Sequence, residues 1–363
     1  MIAIAIAIAR KNLFCLYLNT NSFLCNSNLH FFPAFQFFST SKVERQIPSP
    51  RIYDVLVNKH HFSPESASLA ASRSPKSRSP KIADSVLSFF KENSFTTTQL
   101  EKIVIFYPAI LGSRIERIRF KFKVFQDLGL SPEEIANIIS KDICILQSST
   151  KNRIIPSISK LQDVLEPGHD VVRLLKRFAW FLRADLEKSL MPNVEILKSC
   201  GIPMERIQHF LFLQPKCFLV KPHIMRKSVD KAIQIGASKA SINFIFCVGL
   251  FALKSKRMWE VKLQTLRDLG FSDNDMFLIL RKQPTVFSTS GNKIKNVIEL
   301  LVATGKYDMS SIVTCPSALG CSIEKRLEPR LQILWLLESL IMMRLAKNTS
   351  LGDTCGGPKA LKL

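Results

Sequence analysis

The sequence has no C-x-x-C pair among its nine cysteines, no H-E-x-x-H, no G-x-S-x-G and no Walker A loop. Those absences leave a zinc site, a dithiol redox centre, an α/β-hydrolase and a P-loop NTPase without support. "GLFALKS" (249–255) places a Gly and a Lys-Ser at Walker-like distance, but the second Gly is missing and the phrase falls on a recurring "xPxxL" position described below. His30, His60, His61, His169, His209 and His223 form no ligand set, and His209 reads as a helix-surface or packing residue. Cys144 and Cys217 stand where apolar residues recur and read as small buried hydrophobes; Cys315 and Cys321 have no histidine at ligand spacing. No apolar run reaches the roughly 18 residues of a membrane span. The nearest, "LQILWLLESLIMM" (331–343), is interrupted by Gln332 and Glu338. No segment alternates apolar and polar residues long enough to suggest a sheet. The expectation is an all-α, noncatalytic protein with no metal, no cofactor, no small-molecule substrate and no membrane span.

Acidic residues are missing from the first 43 positions, where Arg10, Lys11 and Lys42 lie among apolar and hydroxyl side chains. An acid-free, weakly basic leader is the make-up of an organellar transit peptide, here assigned to residues 1–42. Phe-rich "FPAFQFFSTS" with few serines points to the mitochondrion, with the chloroplast as the alternative. Residues 43–81, ending in the tandem "SRSPKSRSPK", read as a solvated Ser/Pro/basic linker.

What the chain does contain is a repeated phrase. "FQDLGLSPEEIANII" (125–139) returns as "LRDLGFSDNDMFLIL" (266–280), and a Gly after an apolar helical run recurs at Gly129, Gly201, Gly236, Gly270 and Gly305. The last four are separated by 35, 34 and 35 residues. A Pro phrase runs in phase: "YPAIL" (107–111), "QPKCFL" (214–219), "QPTVF" (283–287) and "CPSALG" (315–320), with "DICIL" and "RFAWFL" as degenerate copies. Periods of this length mark solenoids, whose units bury their apolar faces only by stacking. In each unit an amphipathic helix, such as Ile115, Ile118, Phe122, Phe125 and Leu128, ends at a left-handed Gly. Ser131 with Glu134, and Ser272 with Asp275, then open the second helix as capping boxes. The units occupy 82–330 as an α-solenoid of either hand. Residues 331–363 form an atypical tail, with a helix only partly covered and disorder expected from about 348.

Charge is lopsided: 51 Lys and Arg against 29 Asp and Glu, net +22. A basic solenoid attracts polyanions, nucleic acid foremost, and an acidic protein partner is the rival. The candidate phosphate contacts are Arg114, Arg117 and Lys121 on one helix, then Arg226, Lys227, Lys256, Arg257, Lys293, Lys295, Lys325, Arg326 and Arg330. Phe120, Trp180, Phe181 and Trp259 could stack on bases, but their spacing favours packing.

Taken together, the Gly phrase, the Pro phrase, the opening "DSVLSFFKENSFTTTQLEKIV" (84–104) and the closing "CPSALGCSIEKRLEPR" (315–330) resemble the mitochondrial transcription termination factor (mTERF) family in its plant organellar branch. The resemblance covers roughly 82–330. It implies a helical-repeat solenoid with a basic concave groove for double-stranded DNA, acting in termination or another step of organellar gene expression, including RNA processing. The implied partners are organellar DNA or RNA, together with transcription or RNA-processing proteins. The family's motif specifies no contact residue. Residues 1–42 fused to a fluorescent reporter are expected to carry it into mitochondria; cytosolic or secretory fluorescence would contradict the leader assignment.

Overall fold

The structure is a computed structural model; it describes residues 50–73, 79–165 and 169–352. Residues 1–42, assigned above to a leader, lie outside these. All regular structure among the described residues is helical. Two compact units divide after Arg226, inside one helix.

The N-terminal unit carries α1 (Pro50–Asp54, continued by a π-helical turn Val55–Lys59), α2 (Pro64–Arg73), α3 (Pro80–Glu92) and α4 (Thr97–Phe106). It continues with α5 (Ile115–Asp127), α6 (Pro132–Lys141), α7 (Cys144–Gln147) and α8 (Ile155–Val164, preceded by the π-helical turn Thr150–Ile154). α9 (His169–Arg177), α10 (Leu190–Ser199) and α11 (Met204–Leu213) follow, and then α12 (Pro222–Gln234), within which the division falls. The C-terminal unit adds α13 (Ile242–Leu253), α14 (Lys256–Asp268), α15 (Asp273–Lys282), α16 (Gly291–Ala303), α17 (Met309–Thr314) and α18 (Glu328–Gly352). The Pro phrases are short 3-10 helices at Pro108–Gly112, Pro215–Leu219, Pro284–Ser288 and Pro316–Gly320, with Pro at the first position of each. "RFAWFL" forms another, Ala179–Arg183, while "DICIL" contributes α7. A repeat is thus a first helix, a left-handed turn, a second helix and a short helix.

The turn is a Schellman motif. At the end of α5 the Gly129 amide donates to the Gln126 carbonyl at 2.8 Å and the Leu130 amide to the Phe125 carbonyl at 3.2 Å. Leu130 itself is buried, pinning the chain against the core. The same pairs of bonds recur at Gly201, Gly236 and Gly270, and all five repeat glycines have φ between +65° and +92°. A Cβ at Gly129, Gly201 or Gly305 would meet nothing within 4 Å, so the backbone angle rather than space demands glycine there. The capping boxes at Ser131–Glu134 and Ser272–Asp275 are formed, and Thr96–Gln99 is a third.

Among the described residues, two other than glycine share this angle: Ser94 at φ 66° and His61 at 59°. Phe95 and Phe62 follow them, both buried; Phe95 donates to Phe90 as Leu130 does to Phe125, and Phe62, after a π-helical turn, donates one residue further back, to Leu56. The repeat therefore continues upstream through residues that hide it. This corrects the linker assigned to 43–81. α1 and α2 lie within that span, and Ile52, Leu56, Phe62, Ala67, Ala70 and Ala71 are buried. Small side chains make α2 look solvated in sequence, yet they are what lets it pack against α4.

Two further expectations change. "GLFALKS" is no Pro-phrase copy: α13 runs unbroken to Leu253, without a short helix after it. Helix also continues past 348, to Gly352. α18 is held by buried Leu331 and Leu334 and by Lys306 paired with Glu338 at 2.7 Å, while Leu336, Leu340 and Met343 are exposed.

Aromatic side chains fill the N-terminal unit, where Phe89, Phe90, Phe95 and Phe122 meet edge-on with centroids 4.9 to 6.2 Å apart. Trp180 stacks on Phe181, and in the C-terminal unit Trp259 stacks on Phe287, so both indoles are engaged in packing; Phe120 is exposed instead. Replacing Gly270 with Val should cost about 1 kcal/mol or more through its positive φ, whereas Ser94→Gly should raise the melting temperature by relieving the same strain. Thermal unfolding of both variants checks the pair.

Candidate nucleic-acid interface

Cations are plentiful, but they are not all available to a ligand. Lys121, a candidate phosphate contact with Arg114 and Arg117, is instead buried. Its Nζ donates to the carbonyls of Ile145, Leu146 and Ser148 at 2.7, 2.8 and 2.8 Å. Ser148 ends the short helix of that repeat, whose last carbonyls have no helical partners. The same office is filled in later repeats: Ser157 Oγ reaches Ala184, Asn193 Nδ2 reaches Phe218 and Val220, and Lys262 Nζ reaches Thr289. Lys293, also a candidate contact, donates to the Gly320 carbonyl at 2.8 Å. In all five cases a side chain of the first helix reaches a carbonyl 27 residues later. Burial pushes the ammonium groups of Lys121 and Lys262 down to about 8, with the charge of Lys254 adding to the effect on Lys262.

A second set of cations ties neighbouring second helices together. Arg73 at the end of α2 donates to the Ile105 carbonyl of α4 at 3.2 Å, Lys141 of α6 to Lys176 of α9 at 3.1 Å, and Lys282 of α15 to Thr314 of α17 at 3.2 Å. These are cations at helix C-termini, where the helix dipole favours them.

The remaining candidates are placed otherwise. Arg114, Arg117, Arg226, Lys227, Lys256, Arg257, Lys295 and Lys325 are exposed; Lys293, Arg326 and Arg330 are half-buried. Lys256 and Lys295 have only loose i,i+4 partners, Glu260 and Glu299, both at 3.8 Å. Missed in sequence was where they sit along their helices. The second helices α6, α9 and α15 carry acids in the first turn and bases in the last, as the dipole prefers. The first helices α14 and α16 have no acid in the first turn, and Lys256, Arg257 and Lys293 stand there instead. The π-helical turn before α8 likewise opens with Lys151 and Arg153 and no acid. Each such charge costs its helix about 0.3–1 kcal/mol. An anion in front of the helix reverses that sign, because the free amides and the side chain then act together.

The mTERF family profile matches residues 44–164, 117–237 and 247–354. The chain belongs to the mTERF family. The match begins well before residue 82, in agreement with the helices found at 50–73. A curated relative, "Transcription termination factor MTERF8, chloroplastic" of Arabidopsis thaliana, is 24% identical over 266 residues, which is 69% of this chain and 50% of the relative. This mTERF chain thus spans about half the length of that protein. Its described helices include none long and apolar enough to cross a membrane, and its described residues hold no cluster of His, Cys, Asp and Glu able to bind a metal. Cys217 and Cys247 are buried thiols pushed up to about 12, which makes them packing residues.

Lys121→Met should destabilise the protein by about 2–4 kcal/mol because three carbonyls lose their donor, while Lys123→Met, exposed on the same helix, should stay within about 0.5 kcal/mol. The sign with pH follows from linkage. The folded ammonium sits near 8 and the unfolded one near 10.5, so between those values the unfolded chain binds more protons and stability contributed at this site rises with pH. Denaturant titrations from pH 7.5 to 10 should show the native protein gaining on Lys121→Met across that window.

Proposed function

We propose that this chain is a noncatalytic nucleic-acid-binding regulator of organellar gene expression that holds double-stranded DNA by its phosphates, in the manner of a transcription termination factor. The observation that carries the reading is the placement of exposed Lys256 and Arg257 in the acid-free first turn of α14, where they oppose the helix dipole and an anion makes them favourable. Family membership and the name of the Arabidopsis relative support it. Contacts of this kind position a duplex without reading its bases. The contact set is Arg114, Arg117, Arg226, Lys227, Lys256, Arg257, Lys295, Lys325, Arg326 and Arg330; Lys121 and Lys293 are removed from it, since both donate to carbonyls. The organelle follows two leads: the leader's composition favours the mitochondrion, and the relative's name the chloroplast.

RNA is the second reading, because an A-form duplex presents the same phosphates and is recognised by shape. Binding of the full chain to duplex DNA and duplex RNA over a salt series tests both. With about six phosphates engaged, log affinity should fall with log salt at a slope of about −5, and Lys256→Ala with Arg257→Ala and Lys295→Ala should flatten it by roughly 2 to 3. A slope unchanged by those substitutions would remove these residues from the interface; absence of binding to either duplex at low salt would favour a protein scaffold.

A further inference from the structure

The cations discussed so far belong mainly to first helices. The outward side of α15, a second helix, has a different character. Phe277 and Leu278 are 49% and 38% exposed there. Counted from the left-handed glycine of each repeat, their counterparts are Ala136 and Asn137 on α6, and Gln208 and His209 on α11. Asn137 and His209 are exposed polar residues, as a solvated helix face requires. Gln208 closes its own gap by donating to the Val164 carbonyl of the preceding repeat at 2.9 Å. At α15 nothing closes it. A cleft of about 590 Å³ opens instead, lined by Gln234 and Ile235 at the end of α12 and by Asn274, Phe277, Leu278 and Arg281 of α15.

Arg281 forms one wall and also borders a second cleft of about 480 Å³, which runs past Ser238, Ser241 and Asn243 to Thr314. Its Nε donates to the Phe277 carbonyl at 3.3 Å, and its guanidinium lies against Gly236, where the missing side chain leaves room. Among the described residues no carboxylate pairs with it, and neither cleft contains an Asp or Glu in its lining. The neighbouring Lys282 is committed to the Thr314 carbonyl. The site therefore offers apolar surface on α15, an apolar edge at Ile235 and one unpaired guanidinium between two acid-free hollows.

We propose that this cleft docks a partner protein through an acidic segment with apolar anchors, one Leu or Phe side chain lodging against Phe277, Leu278 and Ile235 while a neighbouring carboxylate meets Arg281. Charge complementarity selects the occupant. A nucleic-acid track needs a series of free cations, and here a single one is set among apolar side chains. An apolar anchor beside one charge-assisted bond is instead the pattern of helix or peptide recognition in a groove. The proposal is independent of the phosphate contacts on first helices, so the chain would hold a nucleic acid and a protein on different residues.

The test uses the full chain and a displayed library of 12-residue peptides built from Glu, Asp, Leu, Phe and Ala. Selection should enrich binders, and for the best of them R281E should weaken binding at least tenfold and F277D comparably. Duplex affinity should stay within about twofold in both variants, which also shows that they are folded. The same peptide with each acid replaced by Lys should bind R281E better than the native protein. Absence of any binder that depends on Arg281 overturns the proposal, as does retention of affinity in F277D. Displacement of the peptide by a 12-nucleotide oligouridine that itself loses affinity in F277D would give the cleft to single-stranded nucleic acid and likewise overturn it.

Discussion

A short helix that ends inside a protein leaves carbonyls without partners, and the rest of this architecture depends on how that debt is met. Most repeats turn back on themselves through such a helix, and the first helix of the same repeat covers part of its last turn. The remedy is a polar side chain on that first helix aimed at the carbonyls: Lys121, Ser157, Asn193, Lys262 and Lys293. The chemistry varies from ammonium to hydroxyl to amide, but the task is the same. Leaving the carbonyls bare would cost about 1–3 kcal/mol apiece, so an apparently misplaced buried lysine becomes a structural necessity.

The need for such donors explains why net charge overstates the binding surface. Part of the basic excess is spent on carbonyls within repeats, and another part on carbonyls between neighbouring second helices, as with Lys141 and Lys282. Among the cations that remain exposed, Lys256 and Arg257 stand at the start of a first helix. A basic composition therefore indicates a polyanion partner, but only the location of each cation relative to helix ends separates a contact from a strut.

The repeat was legible because glycine is the residue that tolerates a left-handed turn, and its recurrence can be counted. The second-helix starts were legible for a similar reason: Ser131 and Ser272 advertise caps. The first repeats were not, because Ser94 and His61 take the left-handed angle without announcing it, and α2 packs through alanines that resemble a linker's small residues. Among candidate contacts, Lys121 was misread because periodicity on its helix assigns it to a face without saying that the face opposite also meets protein. A further signal was available: Lys121, Asn193 and Lys262 each stand 27 residues before the residue that ends a short helix.

That interval has a consequence for how the chain reaches its native state. In the repeat of α16 the stretch from the turn glycine to the end of the short helix is reduced, α17 being six residues long where α15 has ten, and the donor moves one turn toward the start of its helix, to Lys293. The span from donor to acceptor stays at 27 residues. Loop closure depends on contour length, so each repeat closes at nearly the same entropic cost. With every tie this local in sequence, any repeat can serve as a nucleus and growth can proceed from it in either direction, rather than waiting for distant parts of the chain to meet.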